Sequence, residues 1–530
     1  MTDMLNLTFV HMDFADKIRN YLKASYPILY IQSHEEKRVC KDIYEAFKDK
    51  DSTTLYEWDM KNQLQRREKD GQLTNCNIAS TDVKDVIDTI AKMTNEGRNV
   101  FILKDYHPFI EVNYAVRSLR NAIDPLKGKG NMIVFVSPVV KIPTELEKDI
   151  QLLDYKLPDQ DAVKNQLEFV HRSVIKKNPN IELTDPIKQT AIEAARGMTA
   201  SEIQNAFTLA IVTHQKFDKN FVNTVFDEKV IQVKKSGLLQ YIEPDVDFSK
   251  VGGLDSLKDW MRVRAKALTP EARDYGLPYP KGALLCGVPG CGKSLIAKAV
   301  AKEFGLPLFA LDIGGLFGKH VGETEENFRR MVAIVENIGS CILYIDEFEK
   351  ALNRDAVSGK GDTGTSSRAF ATLLTWLNDH TSPVFVIGTS NNHTILPPEL
   401  TRKGRFDEMF WIDLPSAIER EDIFRVLLTR YKRDPLKFNI TELAKRAVGF
   451  TGSEIENTIK SAMFNCFADK KRDVNTTAIL DEVVETIPFS KTNELDLSNM
   501  RQQAKGKLRF AAGVDQSNFE TALRKIDITK

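Results

Sequence analysis

The chain is short of cysteine, of long apolar runs and of net charge, and each shortage removes a class of protein. Its six cysteines in 530 residues (Cys40, Cys76, Cys286, Cys291, Cys341, Cys466) are scattered. They form neither a Cys-x-x-Cys pair nor a Cys/His cluster at zinc spacing, which excludes a disulfide-stapled scaffold and a zinc module. A cytoplasmic or equally reducing compartment is therefore expected. No run reaches about 18 apolar residues, so no membrane insertion is expected. The amino-terminal stretch MTDMLNLTFVHMDFADKIRNYL carries acidic residues where a signal peptide needs a basic end. Lys+Arg and Asp+Glu both number 74, so no overall field draws the molecule to nucleic acid or anionic lipid.

What is present is an ordinary globular composition, 42% hydrophobic and 28% charged, in a chain long enough for roughly three or four compact modules. Between Gly282 and Leu414 short apolar runs (Ala283–Cys286, Leu308–Ile313, Cys341–Ile345, Val384–Gly388) alternate with helical patterns, as a parallel sheet with crossover helices requires. Beyond Leu414 the pattern turns to amphipathic helices near 417–431, 440–448, 453–468 and 475–486. That predicts an α/β core followed by a helical lid. Weaker apolar runs at Tyr26–Ile31, Val100–Leu103 and Met132–Val136 suggest the same plan earlier in the chain.

Two short matches strengthen that suggestion. Gly197-Met-Thr-Ala-Ser-Glu-Ile-Gln-Asn-Ala206 aligns without a gap on Gly449-Phe-Thr-Gly-Ser-Glu-Ile-Glu-Asn-Thr458, and Ile142-Pro-Thr-Glu-Leu146 on Leu396-Pro-Pro-Glu-Leu400. Their common order argues for internal duplication, the alternative being chance likeness of helix caps. The expected organisation is a first module at 1–235, a linker at 236–250, a large α/β subdomain at 251–415, a lid at 416–486, and an extension at 487–530. The extension ends in a capping box, Ser517–Glu520, and an apolar face of Phe519, Ala522, Leu523 and Ile526, which predicts a packing helix that closes the lid.

The chemistry concentrates in two segments. Gly287-Val-Pro-Gly-Cys-Gly-Lys-Ser294 follows a predicted strand and opens a helix. In that context glycines let backbone N–H groups wrap phosphates, and the helix amino terminus adds a favourable dipole. Gly287, Pro289, Gly290, Cys291, Gly292, Lys293, Ser294 and Leu295 are the candidate nucleotide cradle, with Lys293 for the β/γ-phosphates and Ser294 for Mg²⁺. Cys341-Ile-Leu-Tyr-Ile-Asp-Glu347 is an apolar strand ending in two carboxylates. Asp346 is the second candidate metal ligand, and Glu347 the candidate base for the attacking water. The helix terminus and Lys293 are expected to lower the Cys291 thiol pKa, which makes redox inhibition one reading; a small residue filling a tight loop is the other.

On these motifs, 245–470 resembles an AAA-type ATPase module. The resemblance implies a P-loop NTPase core, a parallel sheet with flanking helices and a helical lid, that hydrolyses ATP with Mg²⁺. It further implies adenine contact by Val251 and Gly252, γ-phosphate sensing by Asn391, and arginine fingers at Arg402 and Arg405 that reach a neighbouring subunit's nucleotide. A homo-oligomer, most simply a hexameric ring, follows from the fingers. Phrases such as Leu277-Pro-Tyr-Pro-Lys-Gly282 and Ile345-Asp-Glu-Phe-Glu-Lys350, with Tyr26–Ile31 and Ser236–Leu239, are similar to the Ycf-type AAA ATPases, the hypothetical chloroplast reading-frame family, across nearly the whole chain.

Two departures from the AAA pattern bear on function. The pore-loop candidates His320, Val321 and Gly322 put imidazole where threading enzymes place an aromatic, which weakens the grip on an extended polypeptide; Phe317 is a substitute grip or a packing residue. In the first module Gln32-Ser-His-Glu-Glu36 has no glycine or lysine for a phosphate, and Lys104-Asp105-Tyr106 replaces the Asp-Glu pair. That module reads as degenerate and AAA-like, a different α/β domain being the alternative. The leading function is an ATPase that remodels an unidentified protein partner. The alternatives are a nucleic-acid motor or loader, disfavoured by zero net charge, and a nucleotide-gated scaffold with slow turnover.

Overall fold

The computed structural model describes residues 13–48, 53–76, 82–93, 97–176, 178–179, 181–316, 323–350, 363–402, 404–469 and 472–512. The chain divides into two compact units: 1–180 with 199–208, and 181–198 with 209–530.

In the first unit the strands are β1 (Ile28–Gln32), β2 (Thr53–Asp59), β3 (Gln63–Arg67), β4 (Leu73–Asn75), β5 (Arg98–Lys104), β6 (Met132–Ser137) and β7 (Ile150–Asp154). They form one sheet in the order β4-β3-β2-β5-β6-β1-β7. The five strands from β2 to β7 pair in parallel, while β3 and β4 add an antiparallel hairpin at one edge. Near-continuous apolar runs are what a parallel sheet covered on both faces demands. Successive residues of β1 accordingly enter opposite cores: Ile28 and Tyr30 pack with Phe101 and Phe135, and Leu29 and Ile31 with Val100 and Val134.

The second unit repeats the plan. Its strands are β8 (Leu239–Ile242), β9 (Gly282–Gly287), β10 (Leu308–Leu311), β11 (Cys341–Ile345), β12 (Val384–Ser390), β13 (Glu408–Ile412) and β14 (Arg509–Phe510). Their order is β14-β13-β9-β12-β11-β10-β8, so β10-β11-β12-β9-β13 stands as β2-β5-β6-β1-β7 stands in the first unit. Helices Ala417–Arg430, Ile440–Arg446, Gly452–Ala468 and Thr476–Glu485 form the lid around Phe424, Leu428, Leu443, Ile455 and Ile459. Parallel α/β sheets, a helical lid and an AAA-like first sheet agree with the expected fold class.

Three sequence expectations change. The stretch expected as a linker carries β8, an antiparallel edge strand that pairs its Leu239 with Leu311 of β10. Helices Asp185–Ala195 and Lys219–Lys235, expected in the first module, group with the second unit. The reason is packing: Phe226 sets its ring edge-on to Tyr241, and the buried Lys229 ammonium donates to the Ile338 carbonyl at 2.9 Å. The run Leu308–Ile313 is strand only to Leu311, because Ile313 starts the short helix Ile313–Leu316. The closing helix expected after Ser517 lies outside the described residues.

Candidate functional site

Between β9 and helix Lys293–Phe304 the loop curls over its own lysine. The Lys293 ammonium, 8% exposed, donates to the carbonyls of Gly287 at 2.8 Å and Val288 at 3.0 Å. Burial holds its pKa below the ordinary lysine value, against the opposing pull of the Glu349 and Asp346 carboxylates. The turn requires left-handed backbone at Gly290 (φ 79°) and Gly292 (φ 88°), which glycine adopts without steric cost. At Gly290 space also matters, since a Cβ there would lie 2.2 Å from Ser453 Oγ. The Gly290 carbonyl accepts the Ser453 N–H at 3.0 Å, tying the loop to the start of lid helix Gly452–Ala468. A capping box between Thr451 and Glu454 organises that start.

Across the sheet edge, alternation along β11 places Tyr344 and Asp346 on the same side. The Tyr344 hydroxyl lies 2.7 Å from Asp346 Oδ1 and 2.9 Å from Ser294 Oγ. Thr389 Oγ1 donates to Asp346 Oδ1 at 2.5 Å, and burial raises the phenol pKa. Glu347 sits in the left-handed region (φ 50°), its N–H donating to Thr389 Oγ1 at 2.9 Å. Its Oε1 accepts from Asn391 Nδ2 at 3.0 Å, and its carboxylate also pairs with Lys350. The Asn391 N–H donates to Glu349 Oε1 at 2.8 Å. Base and sensor candidates thus share one hydrogen-bonded frame.

These groups line a cavity of about 460 Å³, within the roughly 300–1,000 Å³ range of small-molecule sites. Its walls include Val251, Gly252, Pro289 through Leu295, Asp346, Glu347 and Asn391, with Ile423, Gly452 and Ser453 from the lid. Gly287 contributes its carbonyl beneath the loop instead. Arg402 and Arg405 are not among the described residues that line the cavity. They stand on the turn before β13, where Asp407 Oδ2 accepts the Lys281 N–H at 2.9 Å and the Lys281 ammonium holds the Gly404 carbonyl at 2.7 Å. Arg402 is exposed, and Arg405 has a buried Nη1 with no hydrogen-bond partner among the described residues. His320, Val321 and Gly322, with Phe317, lie outside the described residues.

One chemical expectation is corrected. Burial raises the Cys291 thiol pKa, outweighing the lowering pull of Lys293, so the loop environment favours the thiol over the thiolate. Sequence reading also missed several groups. Tyr344 had a signal, the period-2 step to Asp346, and Thr389 directly follows the recognised run Val384–Gly388. Gly452 and Ser453 lie in the duplicated motif, whereas Phe510 and Ala512, also on the wall, had no sequence signal.

The model of the "ATPase family associated with various cellular activities (AAA)" matches 283–414; models of the SpoVK-like AAA ATPase N-terminal and second domains match 14–155 and 165–236. The uncharacterized AAA domain-containing protein ycf46 of Trieres chinensis is 34% identical over 94% of this chain and 99% of its own length. That of Guillardia theta is 35% identical over 95% and 97%. A cell division cycle protein 48 homolog of Archaeoglobus fulgidus is 28% identical over 66% of this chain and 50% of its own. With a glycine-rich loop, a carboxylate pair and a lid about one cavity, and full-length likeness at this identity, the chain belongs to the AAA ATPases as a ycf46-type member and is an ATP hydrolase.

Proposed function

We propose that the cavity binds ATP with Mg²⁺ and that hydrolysis proceeds at the interfaces of an oligomeric ring, most simply a hexamer, to remodel a protein partner. In this reading Val251 and Gly252 face the base, and Gly287 through Leu295 cradle the phosphates. Lys293 exchanges its two loop carbonyls for phosphate oxygens. Glu347 takes the proton of the attacking water, and Asn391 holds Glu347 and the γ-phosphate in register. The organisation keeps a degenerate module ahead of the large subdomain (251–415), the lid (416–486) and the extension (487–530).

Mg²⁺ fits the donors. Ser294 Oγ and the Asp346 carboxylate are hard oxygen ligands, and both touch the Tyr344 hydroxyl, as a site completed by phosphate oxygens and water needs. When bound, Mg²⁺ supplies charge neutralisation at the β- and γ-oxygens. The observation that carries the reading is the meeting of Lys293, Ser294, Asp346, Glu347 and Asn391 on one lidded cavity.

Ring assembly rests on Arg402 and Arg405, which stand away from the cavity of their own chain. If they serve a neighbour's nucleotide, Arg402→Ala/Arg405→Ala lowers kcat by roughly 10³ or more. Mixing that variant with Lys293→Ala, inactive alone, then restores part of the activity, because one subunit supplies the loop and the next the guanidinium groups. Absence of any recovery at concentrations where wild type assembles would overturn the ring. Sedimentation with ATP and Glu347→Gln measures the subunit number.

A further inference from the structure

The described part of the carboxyl-terminal extension joins the sheet of the second unit. After helix Glu494–Ala504 the chain adds β14 beside β13, pairing Arg509 with Phe410 and Phe510 with Trp411. Ala511 then bridges two elements: its N–H donates to the Trp411 carbonyl at 3.0 Å, and its carbonyl accepts the Leu257 N–H at 3.1 Å. Leu257 lies in helix Asp255–Lys266, directly after Val251, Gly252 and Leu254 on the cavity wall. Alternation along the tail does the rest. Ala511 is fully buried on one side, while Phe510 and Ala512 on the other side line the nucleotide cavity. The segment is anchored upstream as well, since Arg501 grips the Asp413 carboxylate through contacts of 2.7, 2.8 and 3.0 Å, and Asp413 is itself on the cavity wall.

We infer that β14 is a ligand-binding element, with Phe510 walling the base-and-ribose end of a nucleoside di- or triphosphate. The inference rests on the nucleotide reading of the cavity and adds to it a contact from the carboxyl-terminal strand, which shares the cavity with Val251 and Gly252. A flat apolar side chain suits that end, because base and sugar present faces and carbon atoms there while the phosphates need donors.

The test is calorimetric titration of the full chain with ADP and, separately, with pyrophosphate, for wild type, Phe510→Leu and Phe510→Ala. Affinity for ADP should fall in the order Phe, Leu, Ala by about 2- to 12-fold in all, the range an aromatic contact supplies, while pyrophosphate affinity stays constant. Hydrogen exchange of the Ala511 amide in wild type should slow on adding ADP, a readout that survives if Phe510→Ala does not fold. Equal ADP affinity across the series, an equal loss for pyrophosphate, or an Ala511 amide indifferent to ADP would each overturn the inference. Wild type that binds pyrophosphate but not ADP would sink the nucleotide reading itself, a different failure.

Discussion

At the carboxyl ends of β5 and β11 the backbone makes the same uncommon turn. Asp105 has φ 51° and Glu347 φ 50°, a region that non-glycine residues rarely occupy. Aligning these corners sets Lys104 on Asp346, and the strand registers extend the match to Ile102 on Tyr344, Val136 on Thr389 and Pro138 on Asn391. Every group that holds the metal, base or sensor candidates in the second unit is replaced in the first. The Lys104 ammonium instead stands among Asp59 at 3.3 Å, Glu57 at 3.4 Å and Glu36 at 3.6 Å. The loop after β1 is only Ser33-His34-Glu35, and the Glu35 carboxylate accepts the Ala200 N–H at 2.5 Å. One residue past the matching place in the second unit, the Gly290 carbonyl accepts the Ser453 N–H. A fold can thus keep its frame, strained corner included, after its reactive groups become structural ones. The first unit satisfies a helix start with its own carboxylate and fills its corner with its own ammonium.

The sharpest way to break the comparison is to neutralise both corner carboxylates in turn. Glu347→Gln should lower kcat by roughly 10²–10⁴, the scale of a lost general base, with ATP still bound. Asp105→Asn, at the same backbone position, should leave kcat within about twofold. Steady-state ATPase assays decide it; comparable losses would mean that the first corner takes part in hydrolysis.

The next test exchanges activity for stability. Glu57 is 3% exposed and pairs with both Lys104 and Arg67. Lys104→Met removes one of the two cations and leaves Glu57 to Arg67 alone, a loss of about 1–3 kcal/mol. Urea unfolding should show that loss, while calorimetric ATP affinity stays unchanged. Asp346→Asn should do the reverse, sparing stability and weakening Mg²⁺-dependent binding. A Lys104→Met chain of wild-type stability would show that the network is solvated and carries no weight.

Much of the second unit was legible because its chemistry is local in sequence: the phosphate loop, the carboxylate pair and the lid helices are contiguous patterns. The first unit was legible only as strands β1, β5 and β6. Its β2, Thr-Thr-Leu-Tyr-Glu-Trp-Asp, mixes Glu57 and two threonines into what should be an apolar run, and the pairing of Glu57 with Lys104 and Arg67 that makes this tolerable is long-range. The edge strands β7, β8 and β14 were unreadable for a related reason. A strand of two to five residues is stabilised by the sheet it joins, and its own composition hardly announces it. The cavity's Phe510 wall inherits that invisibility.

The smallest expected effect concerns Tyr344, where the comparison turns on one hydroxyl. Ile102 fills the matching position with buried hydrocarbon, and Lys104 beside it has no metal to hold. In the second unit the Tyr344 hydroxyl touches both Ser294 Oγ and Asp346 Oδ1, so it sets the spacing of the two oxygens that would share Mg²⁺. Tyr344→Phe keeps the ring and removes only that link, an interaction worth about 0.5–1.5 kcal/mol. The Mg²⁺ concentration giving half-maximal ADP binding should rise by about 2- to 12-fold, while ADP affinity in excess EDTA is unchanged. A loss of equal size with and without Mg²⁺ would mean that the tyrosine supports the phosphate loop as a whole. No change in either would make its hydroxyl as dispensable as the methyl groups of Ile102.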